Sequence, residues 1–151
     1  MSLMKRLGLT LLPLLLAATL QAQDLPDGPG KDTVEKTCTA CHDLSAVVSM
    51  SGSADIWQSV ADDMKSRGAD GTDADFRTIV QYLSKYLGPP VHINTDAAKD
   101  LQTNLGITDA EAAAIVKYRT DKGNFKEWAD VAKVPGLDAA KLTGLQKRIK
   151  Y

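Results

Sequence analysis

Cys38-Thr39-Ala40-Cys41-His42 is the stretch on which the reading of this chain turns. Two cysteines separated by two residues and followed at once by histidine form the attachment sequence for a c-type haem. The chemistry explains the spacing. Positions i and i+3 of a helix share a face, so two thiols placed there can reach the two vinyl groups of one porphyrin. The adjacent His42 then presents an imidazole nitrogen to the iron as proximal ligand.

Upstream, Lys5 and Arg6 precede a Leu-rich apolar run from Leu7 to Leu20, and Gln21-Ala22-Gln23 offers a cleavage point after Ala22. The run is shorter than the ~20 residues that cross a bilayer, and Pro13 interrupts it. Residues 1–22 are therefore expected to be a cleaved secretory signal, leaving a mature chain in the periplasm or outside the cell with no membrane span. In that oxidising setting the chain's 2 cysteines have competing uses. A zinc site needs about four ligands, which 2 cysteines and 2 histidines scarcely supply. A thioredoxin-like pair follows a strand, and no strand pattern precedes Cys38. A local disulfide leaves His42 unexplained. Covalent haem uses all three residues.

Charge is balanced overall, with 18 basic and 19 acidic side chains, so it singles out no class of partner. The halves differ. Residues 24–88 carry 11 acidic and 6 basic side chains, and residues 89–151 carry 8 acidic and 10 basic ones. That asymmetry suggests two units with different jobs, divided at Gly88-Pro89-Pro90.

In the first unit, residues 23–30 read as a linker or an ordered arm. A helix is expected from Asp32 or Thr33, with Val34, Cys38 and Cys41 on one face. Residues 43–53 read as a loop. A second helix is expected from Asp55 to a stop at Gly68, with Trp57, Val60, Ala61 and Met64 on one stripe. A third opens on a capping box, Thr72 with Asp75, and turns Phe76, Ile79, Val80, Leu83 and Leu87 inward. Met64 is either a core methionine or the distal haem ligand, because a thioether is a common partner for His-ligated cytochrome iron. Met50, His92 or an open iron position are the alternatives. About 65 residues hold little core of their own, and a porphyrin would supply apolar mass.

VEKTCTACHDL (34–44), IWQSVADDMKSRGA (56–69) and DFRTIVQYLSKYLG (75–88) together resemble the small monohaem class I cytochrome c domains of bacterial periplasmic proteins. The resemblance covers nearly all of residues 30–88. It implies one covalent haem c bound by Cys38 and Cys41, His42 as proximal ligand and Met64 as distal ligand.

The second unit shows helical spacing at Ala97, Ala98 and Leu101, then a break at Leu105-Gly106-Ile107-Thr108. A helix follows with a Thr108–Glu111 capping box and Ala112, Ile115 and Tyr118 on one face. Phe125, Trp128, Ala129 and Val131 lie in a short helical stretch. After Val134-Pro135-Gly136-Leu137, a last helix is expected with Asp138 as cap and Leu142, Leu145 and Ile149 inside. Gly106-Ile107-Thr108-Asp109 and Gly136-Leu137-Asp138-Ala139 repeat at an offset of 30 residues, each between two helices.

HINTDAAKDLQ (92–102) through FKEWADVAKVPGL (125–137) resembles the tandem helix-hairpin-helix domain of bacterial competence DNA receptors. In DNA-binding members the hairpin reads apolar-Gly-apolar-Gly and holds a phosphate on backbone N–H groups. Here Thr108 and Asp138 replace the second glycines. Threonine restricts close approach, and a carboxylate repels phosphate. Related units dock proteins instead. Lys141, Lys147, Arg148 and Lys150 cluster near the end, and Lys117, Arg119, Lys122 and Lys126 surround the middle turn. Either group is a solvated face or a weak nucleic-acid contact.

The expected architecture is all-α: a haem c domain over 23–88 and a tandem helix-hairpin-helix domain over 91–151. The expected function is single-electron transfer to redox protein partners through one haem, with no substrate transformed. The alternatives are a DNA-binding helix-hairpin-helix protein in which haem is structural or sensing, and a haem sensor or enzyme with an open iron site.

Overall fold

Two of the longer helices start where a threonine and an acid three residues on satisfy each other's backbone. In the computed structural model, which describes residues 24–151, Thr72 Oγ1 accepts from the Asp75 N–H at 3.1 Å and the Asp75 carboxylate accepts from the Thr72 N–H at 2.8 Å. Thr108 and Glu111 repeat the arrangement at 3.2 and 2.9 Å. Each box fills donors that the first helical turn leaves unpaired. Thr72→Ala or Thr108→Ala is accordingly expected to lower the unfolding free energy by about 1 kcal/mol, read from urea melts; an unchanged midpoint would contradict the capping role.

The described chain is all-α apart from one minimal sheet. Helices α1 (Lys31–Cys38), α2 (Ser45–Val48), α3 (Ala54–Ser66) and α4 (Asp73–Tyr86) precede the Gly88-Pro89-Pro90 break. Strand β1 (Val91–His92), α5 (Ala98–Leu105), α6 (Asp109–Lys122), α7 (Trp128–Val131), a 3-10 helix (Ala139–Arg148) and β2 (Ile149–Lys150) follow. The expected signal over 1–22 lies outside the described residues. Among those described, no helix is long and apolar enough to cross a membrane.

Several boundaries depart from expectation. Helix α1 starts at Lys31 behind Gly30, with no side-chain cap from Asp32 or Thr33. Residues before it form an ordered arm: Leu25 is 2% exposed, and the Tyr82 hydroxyl donates to the Pro26 carbonyl. Ser53, rather than Asp55, caps α3, while Gly68 ends that segment in the expected left-handed conformation (φ 98°). The 43–53 segment contains the single turn α2, begun by the Asp43 carboxylate accepting from the Ser45 N–H at 2.8 Å.

The largest departure is at the end of the chain. The last helix is 3-10, not α, and the Asp138 side chain does not cap it. Asp138 instead sits 3.4 Å from Lys141 Nζ. Leu142, Leu145 and Arg148 are the buried residues of this helix. Their spacing of three matches the 3-10 period, which eclipses side chains at i and i+3, and Gly144 between them weakens any α-helical preference.

Helix α4 is the central element, packed against α1, α3 and the 3-10 helix. Helices α5 and α6 pack together. Val91 and His92 pair in parallel with Ile149 and Lys150, tying the start of the second unit to its end. The buried apolar residues form one continuous cluster from Leu25 to Ile149, so the two halves are in contact.

Candidate cofactor pocket and hairpin unit

A cavity of about 290 Å³ opens between α1, α3, α4 and the 41–50 segment. Cys38, Cys41, His42, Met50 and Met64 all line it. The remaining wall is largely apolar and includes Trp57, Val60, Phe76, Ile79 and Leu83. The stripes read from sequence on α3 and α4 therefore converge on one space. Trp57 is fixed there by its indole N–H, which donates to the Leu87 carbonyl at 3.2 Å.

The two cysteines do not share one helix face as expected. Helix α1 ends at Cys38, and the chain turns through Thr39, Ala40 and Cys41. The Thr39 hydroxyl donates back to the Glu35 carbonyl at 2.6 Å, as does its N–H at 3.0 Å. The N–H bond is the closing i→i−4 bond of α1, and the hydroxyl shares its acceptor. Cys38 is thus anchored on α1, while Cys41 and His42 reach the cavity from the exposed turn.

Cys38 and Cys41 form no disulfide, and burial pushes the Cys38 thiol pKa upward. His42 Nδ1 lies 2.7 Å from the Asp43 carbonyl. A carbonyl can only accept, so this bond places the proton on Nδ1 and leaves the Nε2 lone pair available. Metal-ligating imidazoles are oriented in this way. The Ser45 hydroxyl, followed by its backbone N–H, holds the Asp43 carboxyl below the usual range.

Met64 is partly buried on α3, and Met50 is 40% exposed. His92 is exposed on β1, away from the cavity, with its backbone N–H bonded to the Asp96 carboxylate at 2.9 Å. Sequence reading missed Thr37 and Arg67 in the lining. Arg67 pairs with Asp63 at 2.9 Å, an i,i+4 relation visible in the sequence but not distinctive there. Among the described residues, no three His, Cys, Asp or Glu side chains gather as a metal site. Two thiols, an imidazole with free Nε2 and a thioether around an apolar space do fit a covalently attached haem.

In the second half, Gly106 and Gly136 occupy matching turn positions with φ of 65° and 81°. A Cβ would meet nothing within 4 Å at either, so it is the left-handed backbone that requires glycine. Each turn leads into a helix, α6 or the 3-10 helix. Residues 88–150 match the family model of the helix-hairpin-helix motif. Over those residues the chain carries a helix-hairpin-helix motif. The chain is also 44% identical over 52 residues to endonuclease/exonuclease/phosphatase family domain-containing protein 1 of mouse, rat and human. That stretch is 34% of this chain and 9% of each relative, so the chain spans only a small part of their length. No solved structure matches.

The basic clusters of this unit are smaller than the sequence suggests. Arg148 is 6% exposed, and its guanidinium donates to the Lys85 and Pro89 carbonyls. Arg119 donates to the carbonyls of Ile93 and Asp96 at 2.5 and 2.7 Å. Lys117 pairs with Asp121 at 2.6 Å. Both arginines of the unit are thus structural.

Proposed function

We propose that this chain is an exported c-type cytochrome that carries single electrons, with the helix-hairpin-helix unit docking it to a partner complex. The observation that carries this reading is the gathering of Cys38, Cys41, His42 and Met64 around one apolar cavity. Cys38 and Cys41 would hold haem c through thioether bonds, with His42 Nε2 as proximal ligand and Met64 as distal ligand. Bound there, haem supplies a one-electron Fe(III)/Fe(II) couple, and thioether ligation favours the reduced state. The protein's own contribution is placement. Asp43 orients the imidazole, Trp57, Phe76 and Ile79 exclude water, and α3 presents Met64. The partners would be redox proteins meeting a small interface, and the acidic first half favours a basic partner surface.

The test is an intact mass and visible spectrum after expression with a haem-attachment system. One haem per mature chain is the expected result; a chain without that mass overturns the reading. Met64→Ala is expected to abolish the thioether–iron charge-transfer band of the ferric protein, and Met50→Ala to leave it. An unchanged spectrum in Met64→Ala would remove Met64 from the ligand set.

The family match of residues 88–150 favours a second reading, in which this unit contacts duplex DNA and the haem domain is structural or sensing. Backbone phosphate contacts would make such binding steeply salt-dependent. Anisotropy of a labelled duplex across a salt series tests it, and no binding even at low salt disposes of it.

A further inference from the structure

The two hairpins are joined by one side chain. The Glu111 carboxylate accepts from the Thr108 N–H at 2.9 Å and the Thr108 hydroxyl at 2.8 Å through Oε2. Its other oxygen, Oε1, accepts from the Asp138 N–H at 3.3 Å. Thr108 and Asp138 are the matching positions of the internal repeat, 30 residues apart. A capping box requires only the first of these contacts. The reach to Asp138 is additional, and it gives both turns a common anion.

Backbone N–H groups at a turn that opens a helix form a natural place for an oxyanion. Here those of Thr108 and Asp138 are already bonded to a carboxylate. The same donors hold Glu111 below the ordinary glutamate range, the Thr108 N–H first, then its hydroxyl and the Asp138 N–H. Close by, the Asp138 carboxylate adds a second negative charge, offset by Lys141 at 3.4 Å. Asp109 contributes a third in the first turn of α6.

We propose that Glu111 is a resident anion that closes the paired hairpins to phosphate, so that this unit discriminates against nucleic-acid backbone. An incoming phosphate would have to displace a bonded carboxylate and meet the charges of Asp109 and Asp138. Discrimination of this kind comes from built-in repulsion and occupied donors rather than from missing contacts. The unit then meets partners through other faces, as a protein-docking module does. This inference rests on the hairpin geometry and is independent of the haem reading, which stands or falls on mass and spectrum.

The test uses the full chain and a short labelled duplex at low salt. Glu111→Gln keeps the side-chain shape and remains compatible with a capping box while removing the charge. It is expected to bind duplex about tenfold more tightly than the unsubstituted chain. Asp100→Asn, which removes an acid from α5 in the same unit, is expected to change binding by no more than about twofold. Equal effects of the two substitutions, or binding by the unsubstituted chain as tight as by Glu111→Gln, would overturn the proposal. A second measurement needs no variant. In a titration of the native chain with inorganic phosphate, the amide resonances of Thr108 and Asp138 are expected to stay in place. Saturable movement of both would show the hairpins open and end the idea.

Discussion

Arg148→Ala is expected to lower the unfolding free energy by about 3 kcal/mol, the loss estimated for charge-assisted bonds to groups left without donors. Of its three hydrogen bonds, one reaches into the first half of the chain and two hold the Gly88-Pro89-Pro90 break that joins the halves. Nε and Nη2 donate to the Pro89 carbonyl at 3.1 and 2.9 Å, and Nη1 donates to the Lys85 carbonyl. Lys85 lies in the last turn of α4, where carbonyls lack intrahelical partners and the helix end is partly negative. Burial disfavours the charged guanidinium, which lowers the Arg148 pKa, and no carboxylate pairs with it among the described residues. The carbonyls and the helix end are therefore what balance its charge. Lysine has no planar fork with which to repeat these contacts, so Arg148→Lys is expected to recover only part of the loss. Denaturant melts followed by far-UV circular dichroism measure both. A midpoint for Arg148→Ala within experimental error of the native chain would refute the clamp.

The same contacts connect the clamp to the cavity. The carbonyl of Leu87 accepts from the Trp57 indole at 3.2 Å and from the Gly52 N–H at 3.0 Å. Two residues earlier and two later, the Lys85 and Pro89 carbonyls bind Arg148. One short stretch of carbonyls thus anchors both a wall residue of the cavity and the last turn of the helix-hairpin-helix unit. Loosening at Arg148 consequently acts on α4, which supplies Phe76, Ile79 and Leu83 to the cavity.

What could be read in the sequence was local. Thr72 with Asp75 and Thr108 with Glu111 announced helix starts, because capping needs only residues three apart. Trp57, Val60 and Met64, and Phe76, Ile79 and Leu83, announced helix faces by their period, and both faces line the cavity. Gly106 and Gly136 marked the repeated turns. The parts that were not legible depend on distant segments. Pairing of Val91 with Ile149 involves two-residue strands too short to leave a pattern. Arg148 looked like one member of a solvated basic cluster, since nothing nearby in sequence reveals that α4 ends against it. Glu111 was legible as a cap, but its bond to Asp138 depends on how the two hairpins fold together. At the motif itself, the i,i+3 spacing did not reveal that α1 ends at Cys38 and that Cys41 lies in the turn that follows.

That turn shapes the largest effect expected for the cavity. Cys38→Ser combined with Cys41→Ser is expected to abolish covalent haem entirely, leaving the mature chain at its polypeptide mass under conditions that load the native protein. The single variants are not equivalent. Cys38 is half-buried on α1 and held in the cavity wall, whereas Cys41 is exposed in the turn that also carries His42. Cys41→Ser keeps the anchored thiol but loses the bond that would restrain the turn, so its imidazole is less firmly held. Cys38→Ser keeps the thiol beside His42, and its visible spectrum is expected to stay closer to native. His42→Ala leaves both thiols intact and is expected to preserve attachment while shifting the Soret band through loss of the imidazole. Removing attachment also removes the stabilisation that any native-state ligand confers, so the double variant is expected to melt below the loaded native protein. Intact masses, reduced and oxidised spectra and thermal melts of the four variants test these expectations together. A double variant that retains the mass of one haem and the native spectrum would show that Cys38 and Cys41 serve another purpose.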